Sequence, residues 1–210
     1  MRDGMWKRVR ILGAVAACIL AGRAADAQTL ASLPAPTVPA QVLGEARPVI
    51  AWTAFCRSYP AECAVDVSEP ATVALTPSVW QQIVATNRRV NTSVRAITDL
   101  DHWGKPDVWD LAEDGSGDCE DYQLLKRHQL AAAGLPRRAM RIAVVIDEKG
   151  EGHAVLMLRT DRGDLVLDNK TNAILAWHQT GYTYVKRESQ DAQAWVSLGH
   201  ATSPTATANR

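Results

Sequence analysis

The chain has 210 residues, with 23 Lys and Arg balanced by 23 Asp and Glu. That length suits one domain whose core needs no metal or disulfide staples. The balanced charge, with no Lys/Arg stripe interleaved with aromatics, argues against a nucleic-acid partner, because phosphate backbones demand a basic footprint.

Residues 1–27 read as an export signal. Lys7, Arg8 and Arg10 precede the apolar run "ILGAVAACILA", and Ala25 and Ala27 form an A-x-A cleavage pattern. The run is too short for a membrane span and no second one follows, so a soluble periplasmic product starting at Gln28 is expected. Without residues 1–27 the chain keeps 18 basic and 21 acidic residues, a net charge near −3. Residues 28–48 are rich in Ala and Pro, which suits an extended arm or linker more than a packed element. The domain is expected over 49–198. The stretch "GHATSPTATANR" lacks apolar periodicity, so 199–210 are expected to be a disordered tail.

Three cysteines remain once Cys18 leaves with the signal. Cys56 and Cys63 in "FCRSYPAEC" flank Pro60, which can turn the chain back on itself. In an oxidising compartment a disulfide between them is expected ahead of two thiols or half a metal site. Cys119 is the third, and a cysteine left over in an exported protein is either inert and buried or reactive.

Further along, Thr76 can cap and Pro77 can open a long amphipathic helix, with Val79, Ile83, Val90, Val94 and Ile97 at helical spacing. Asn87 and Asn91, one turn apart on it, read as polar anchors to neighbouring backbone. The next helix should begin near Cys119, after "EDGSGD", and stop at Gly134 and Pro136. Cys119 then sits in a first helical turn. Unpaired N–H groups and the positive dipole end favour a thiolate there, while Asp118, Glu120 and Asp121 disfavour one. After Pro136 the pattern turns to β, with "RIAVVID", "HAVLMLRT", "LVLDN" and later "YTYVKR" as antiparallel strands. Helices followed by an antiparallel sheet make an α+β domain.

A thiol nucleophile needs a base within hydrogen-bond reach, and the base needs an orienting group. Cys119 at a helix start, His153 at a strand start and Asp168 at the end of the returning strand supply those types. A tight turn at Arg162 and Gly163 would pair Asp168 with Met157, roughly 13 Å along the strand from His153. A loop of about six residues, or an equivalent bulge, is therefore expected, so that His153 and Asp168 face each other directly.

The runs "GDCEDY", "GHAVL" and "LDN", with "DHWGKPDVWDL" and "YTYVKRESQDAQAWVSL", resemble the bacterial transglutaminase-like cysteine peptidases, whose LapG-type members release large biofilm adhesins from the cell surface. The resemblance implies a papain-like fold with Cys119 as nucleophile, His153 as general base and then acid, and Asp168 orienting the imidazole. An oxyanion hole would use the Cys119 backbone N–H, with the Trp103 indole as a second candidate. It also implies calcium on the acids around the cysteine. Asp118, Glu120 and Asp121 are the candidate ligands, since a hard dication would cancel their repulsion, whereas acids that merely complement the dipole are the alternative. No organic cofactor is expected. The implied partners are a protein substrate, for this family a surface adhesin, and an inner-membrane cyclic-di-GMP-responsive receptor; the enzyme itself is expected to be monomeric. The same triad could serve a transglutaminase or amidase, and a calcium-binding module without turnover is the reading from another class.

Overall fold

The computed structural model describes residues 32–201. The expected signal and most of the expected tail lie outside the described residues. The elements in chain order are β1 (Gly44–Ala46), α1 (Ile50–Ser58), α2 (Pro60–Cys63), α3 (Pro77–Ser93), β2 (Arg95–Ala96), α4 (Asp99–Trp103), β3 (Ser116–Gly117), α5 (Cys119–Ala132), β4 (Met140–Ile146), β5 (Gly152–Thr160), β6 (Gly163–Leu167), β7 (Leu175–Ala176), β8 (Thr183–Glu188) and β9 (Trp195–Ser197). Among the described residues, no helix is long and apolar enough to cross a membrane.

Helices precede the sheet as α+β patterning predicts. Seven strands form an antiparallel sheet in the order β1-β9-β8-β4-β5-β6-β7. Two short elements add to this plan: β1 precedes the helices, and β2 pairs in parallel with β3.

The central strands are apolar at nearly every position because both faces of the sheet are covered. Alternation by two sends Ile142, Val144, Ala154, Leu156, Leu158, Leu165 and Leu167 into a core shared with the helices. Ala143, Val145, Val155, Met157, Val166 and Tyr184 point the other way and pack with Ala40 of the arm. The Ala/Pro-rich arm is extended, yet it is no loose linker. Thr37 N–H donates to Arg162 O, Ala40 N–H to Asp164 Oδ2, and the Trp177 indole to Val38 O. Farther on, Gly44–Ala46 pairs with Trp195–Ser197. The arm thus crosses the outer face of the sheet like a belt, from β6 and β7 to the opposite edge.

On the inner face, Thr76 accepts from Val79 N–H and Pro77 opens α3, whose Trp80, Ile83, Val84 and Val90 are buried. Helix α5 packs between α3 and the sheet. Its Arg127 reaches Glu188 of β8 at 2.6 Å, and Glu188 also accepts from Ile142 N–H and the Trp52 indole, so one buried carboxylate ties together α1, α5, β4 and β8. Cys56 and Cys63 form a disulfide joining α1 to α2, as the sequence led us to expect.

Candidate active site

The helix start, the β5 start and the β6 end meet at one side of the sheet. Cys119 is the first residue of α5 and is buried. Its sulfur accepts from the Ala154 backbone N–H, which seats the thiol against β5 beside His153. The Cys119 Sγ also donates to Glu120 Oε2 at 3.1 Å. Burial, then the Glu120 and Asp118 carboxylates, push the thiol well above its ordinary value.

His153 Nε2 lies 2.9 Å from Asp168 Oδ1, and both side chains are buried. The six-residue loop expected between their strands is absent. Two residues, Asp161 and Arg162, close the hairpin, and Leu156 pairs with Leu167. Continuing that register sets Asp168 beside Val155, two residues from His153 on the same face. Diagonal neighbours of this kind lie within reach of long side chains, so the pair meets without a bulge.

Asp168 is held as a carboxylate by donors from three directions: His153 on Oδ1, the Lys170 N–H also on Oδ1 at 3.1 Å, and the Tyr182 hydroxyl on Oδ2 at 2.6 Å. Burial works to raise this carboxyl, but the contacts with His153, Tyr182 and the Lys170 N–H outweigh it and hold it at about 2. An ionised Asp168 requires Nε2 to carry a proton, which leaves Nδ1 as the basic nitrogen. Asn91 of α3 donates to the Asp168 and Thr171 carbonyls, and Asn87 to that of Asn172, so both asparagines anchor the loop after Asp168. Tyr182 was not foreseen; its edge-on packing at 5.6 Å from the imidazole is a long-range consequence of β8 entering the sheet.

A cleft of about 630 Å³ opens over Cys119, lined by Ala96, Ile97, Thr98, Leu100, Asn169 and Lys170 among others. Trp103 is not part of this lining. It is 45% exposed at the end of α4 and stacks on His102, with centroids 4.0 Å apart. The structure does not bring the candidate oxyanion indole to the cleft.

Behind the thiol lies a cluster of acids, all buried but the half-buried Asp107, that is larger than the sequence suggested. Ligand atoms of Asp99, Asp118 and Asp121 come within 4.8 Å of one another, as do those of Asp99, Asp107 and Glu120, and those of Asp118, Cys119 and Glu120. Asp99 and Asp107 were missed because they lie far from "GDCEDY" in sequence. Asp121 directs Oδ1 to the Asp110 N–H at 2.7 Å and Oδ2 to the Asp118 N–H at 3.2 Å, so both its oxygens already hold backbone. Asp99 Oδ1 and Asp118 Oδ1 are buried with no hydrogen-bond partner among the described residues. Burial and repulsion from neighbouring carboxylates lift Asp99 to about 7 and Asp121 to about 9 despite their backbone donors and drive Glu120 well upward, while Asp118 is raised by burial against its contact with Glu120. Gly117 leaves room for this packing, because a Cβ there would stand 2.5 Å from Asp121 Oδ2. Orphaned carboxylate oxygens in the two groups that offer only oxygen donors fit a hard dication.

A helix-borne cysteine beside a strand-borne histidine that an aspartate orients is the arrangement thiol-based acyl transfer requires. The chain belongs to the family described as bacterial transglutaminase-like cysteine proteinase (BTLCP), whose family model matches residues 42–203. No curated protein matches it. Solved structures of Legionella pneumophila LapG are similar to it: one at 26% identity, TM-score 0.48, covering 57% of this chain and 68% of that one. A calcium-bound form aligns at 21% identity and TM-score 0.48 over 62% and 84% of the two chains. An EGTA-treated form gives 26%, 0.48, 57% and 67%.

Proposed function

We propose that this protein is an exported, calcium-dependent cysteine endopeptidase of the periplasm that cleaves a cell-surface adhesin through Cys119, His153 and Asp168. A peptidase family implies a protein substrate. The observation that carries the reading is the His153–Asp168 pair set against the strand whose Ala154 amide touches the Cys119 sulfur. His153 Nδ1 takes the thiol proton, the thiolate attacks the scissile carbonyl carbon, and the oxyanion meets the Cys119 N–H at the start of α5. The imidazolium then protonates the leaving amine. Water, deprotonated by His153, attacks the thioacyl carbon and releases the second product.

The cleft suits an extended peptide. Arg95 and Ile97 turn their N–H groups toward Gly115 and Gly117, which leaves the N–H and C=O of Ala96 on the cleft edge for a substrate strand. Asp99, Asp118 and Glu120, backed by Asp121 and Asp107, would hold the calcium. Bound there, the ion supplies positive charge that offsets the carboxylates disfavouring the Cys119 thiolate.

The test is incubation of the enzyme with periplasmic and outer-surface protein fractions in calcium, followed by mapping of new N-termini, with Cys119→Ala as control. New termini that depend on Cys119 and calcium support the reading. Isopeptide cross-links without cleavage would instead favour acyl transfer to amines, and retention of a partner without either would favour a binding module.

A further inference from the structure

Three side chains that the mechanism above does not use form a line from the core to the cleft. Lys126, two turns below Cys119 on α5, is fully buried, and its Nζ donates to Gln123 Oε1 at 3.2 Å. Gln123 is fully buried as well, and its Nε2 donates to Asn169 Oδ1 at 3.2 Å. Asn169 follows the triad acid and lines the cleft that Cys119 lines.

The order of donors in this line is dictated from its buried end. Lys126 Nζ donates to Gln123 Oε1; burial pulls this amine down to about 7, and the Asp168 carboxylate opposes that pull. Facing such a donor, the Gln123 amide must present its oxygen, and its NH₂ therefore points at Asn169. Asn169 must in turn present its own oxygen to Gln123. Its NH₂ is what remains for the cleft, and among the described residues Asn169 Nδ2 has no hydrogen-bond partner. The buried Lys126 donor thus fixes the direction of two amides in series.

We infer that Asn169 is a substrate-binding residue whose side-chain NH₂ donates to a carbonyl oxygen of the acyl segment held at Cys119, and that Gln123 and Lys126 are positioning residues that keep this donor turned toward the cleft. This rests on the peptidase reading. It gives the cleft a second donor besides the Cys119 amide, in the lining shared with Ala96, Ile97 and Thr98, and it replaces the Trp103 indole in that role.

The test exploits the direction of the amides. Gln123→Glu keeps the shape and pairs its carboxylate with Lys126, but a carboxylate cannot donate to Asn169 Oδ1. Asn169 must then turn its NH₂ inward and its oxygen toward the cleft. Asn169→Ala removes the donor altogether, and Asn169→Gln restores an amide there. The probe is an acetylated trialanine aldehyde in calcium-containing buffer. Cys119 Sγ adds to its carbonyl carbon, the C=O π bond becomes a C–O bond, and the thiol proton ends on that oxygen through His153. Iodoacetamide alkylation of Cys119 serves as a readout of the thiol alone, and thermal melting as a readout of the fold.

The expected result is aldehyde affinity about 10- to 100-fold weaker in Gln123→Glu and Asn169→Ala, the range for losing one donor to a developing oxyanion or a buried carbonyl. Partial recovery is expected in Asn169→Gln. Cys119 alkylation and melting in Gln123→Glu should match the wild type, which a merely structural role for Gln123 would not predict alongside lost affinity. Equal aldehyde affinity in wild type, Gln123→Glu and Asn169→Ala overturns the inference and leaves the peptidase reading standing. Failure of the wild-type protein to add the aldehyde or to be alkylated at Cys119 overturns the peptidase reading and this inference with it.

Discussion

Replacing Asp99 by Asn tests the acid cluster at the residue that reasoning from "GDCEDY" could not reach. Asn keeps an oxygen for the Val108 N–H that Asp99 accepts, so the local turn survives, but it removes one of the buried charges that would hold a dication. A ligand that binds only the folded state at 100 times its Kd stabilises by about 2.7 kcal/mol. For a domain of this size each kcal/mol moves Tm by about 2–4 °C, so saturating calcium should raise the wild-type Tm by about 5–11 °C. In Asp99→Asn and Asp118→Asn that shift should fall to a small remainder. The pH dependence has a definite sign. Asp99 and Asp121 keep their protons to about 7 and about 9 in the fold, whereas the unfolded chain releases them near the ordinary carboxylate value. The unfolded state therefore binds fewer protons across that window, and metal-free stability falls as pH rises from about 4 to about 9. Calcium competes with those protons, so its stabilisation should be larger at pH 8 than at pH 5. Differential scanning fluorimetry against calcium and chelator, at both pH values, reads all of this. A wild-type Tm unmoved by millimolar calcium at pH 8, or an equal shift in Asp99→Asn, would refute the reasoning.

Cys119→Ala and His153→Ala should each abolish cleavage of the mapped substrate while preserving the melting transition, and Asp168→Asn should be severe but milder; turnover at the wild-type rate in Cys119→Ala would end the mechanism. Tyr182→Phe removes the hydroxyl that donates to the buried Asp168 carboxylate at 2.6 Å, and urea denaturation should show a loss of about 1.5–3 kcal/mol, the worth of a hydrogen bond to a charged group. An unchanged urea midpoint would count against that role. Intact-mass analysis of native, unreduced protein should find alkylation at Cys119 alone, and reducing the Cys56–Cys63 bridge should cost about 2.5 kcal/mol in the chain-entropy treatment of so short a loop, with catalysis retained once refolded. Labelling of Cys56 or Cys63 without reductant would contradict this.

What could be read from the sequence was local. Thr76 and Pro77 announce the start of α3, Gly134 and Pro136 stop α5, and the apolar runs after Pro136 announce strands, because caps and periodicities act within a few residues. The His153–Asp168 meeting was anticipated, but its register was not. Direct pairing looked necessary, whereas two side chains on one face need only be diagonal neighbours. Asp99 stayed hidden for a different reason. It reaches Asp118 because Ala96 pairs with Gly117, a two-residue parallel contact with no pattern in the sequence long enough to see. The Trp103 indole was carried over from the family resemblance, and only the path of α4 shows that it is exposed and outside the lining of the cleft. Composition also hid the arm, since Ala and Pro carry no apolar periodicity even where Ala40 is buried.

The belt formed by that arm sets an order of events during folding. Its anchor on Asp164 spans 124 residues of sequence and its anchor on the Trp177 indole spans 139, while its short strand needs β9, near the end of the described residues. Contacts so distant along the chain are closed late and slowly. The arm, which comes first among the described residues, therefore settles last, and until it does, Val145, Val155, Met157 and Val166 lie open on the outer face of the sheet. An apolar face bared for that interval is a surface for chaperone capture or for self-association, so shortening the arm would impair recovery of folded protein well before it touched the chemistry at Cys119.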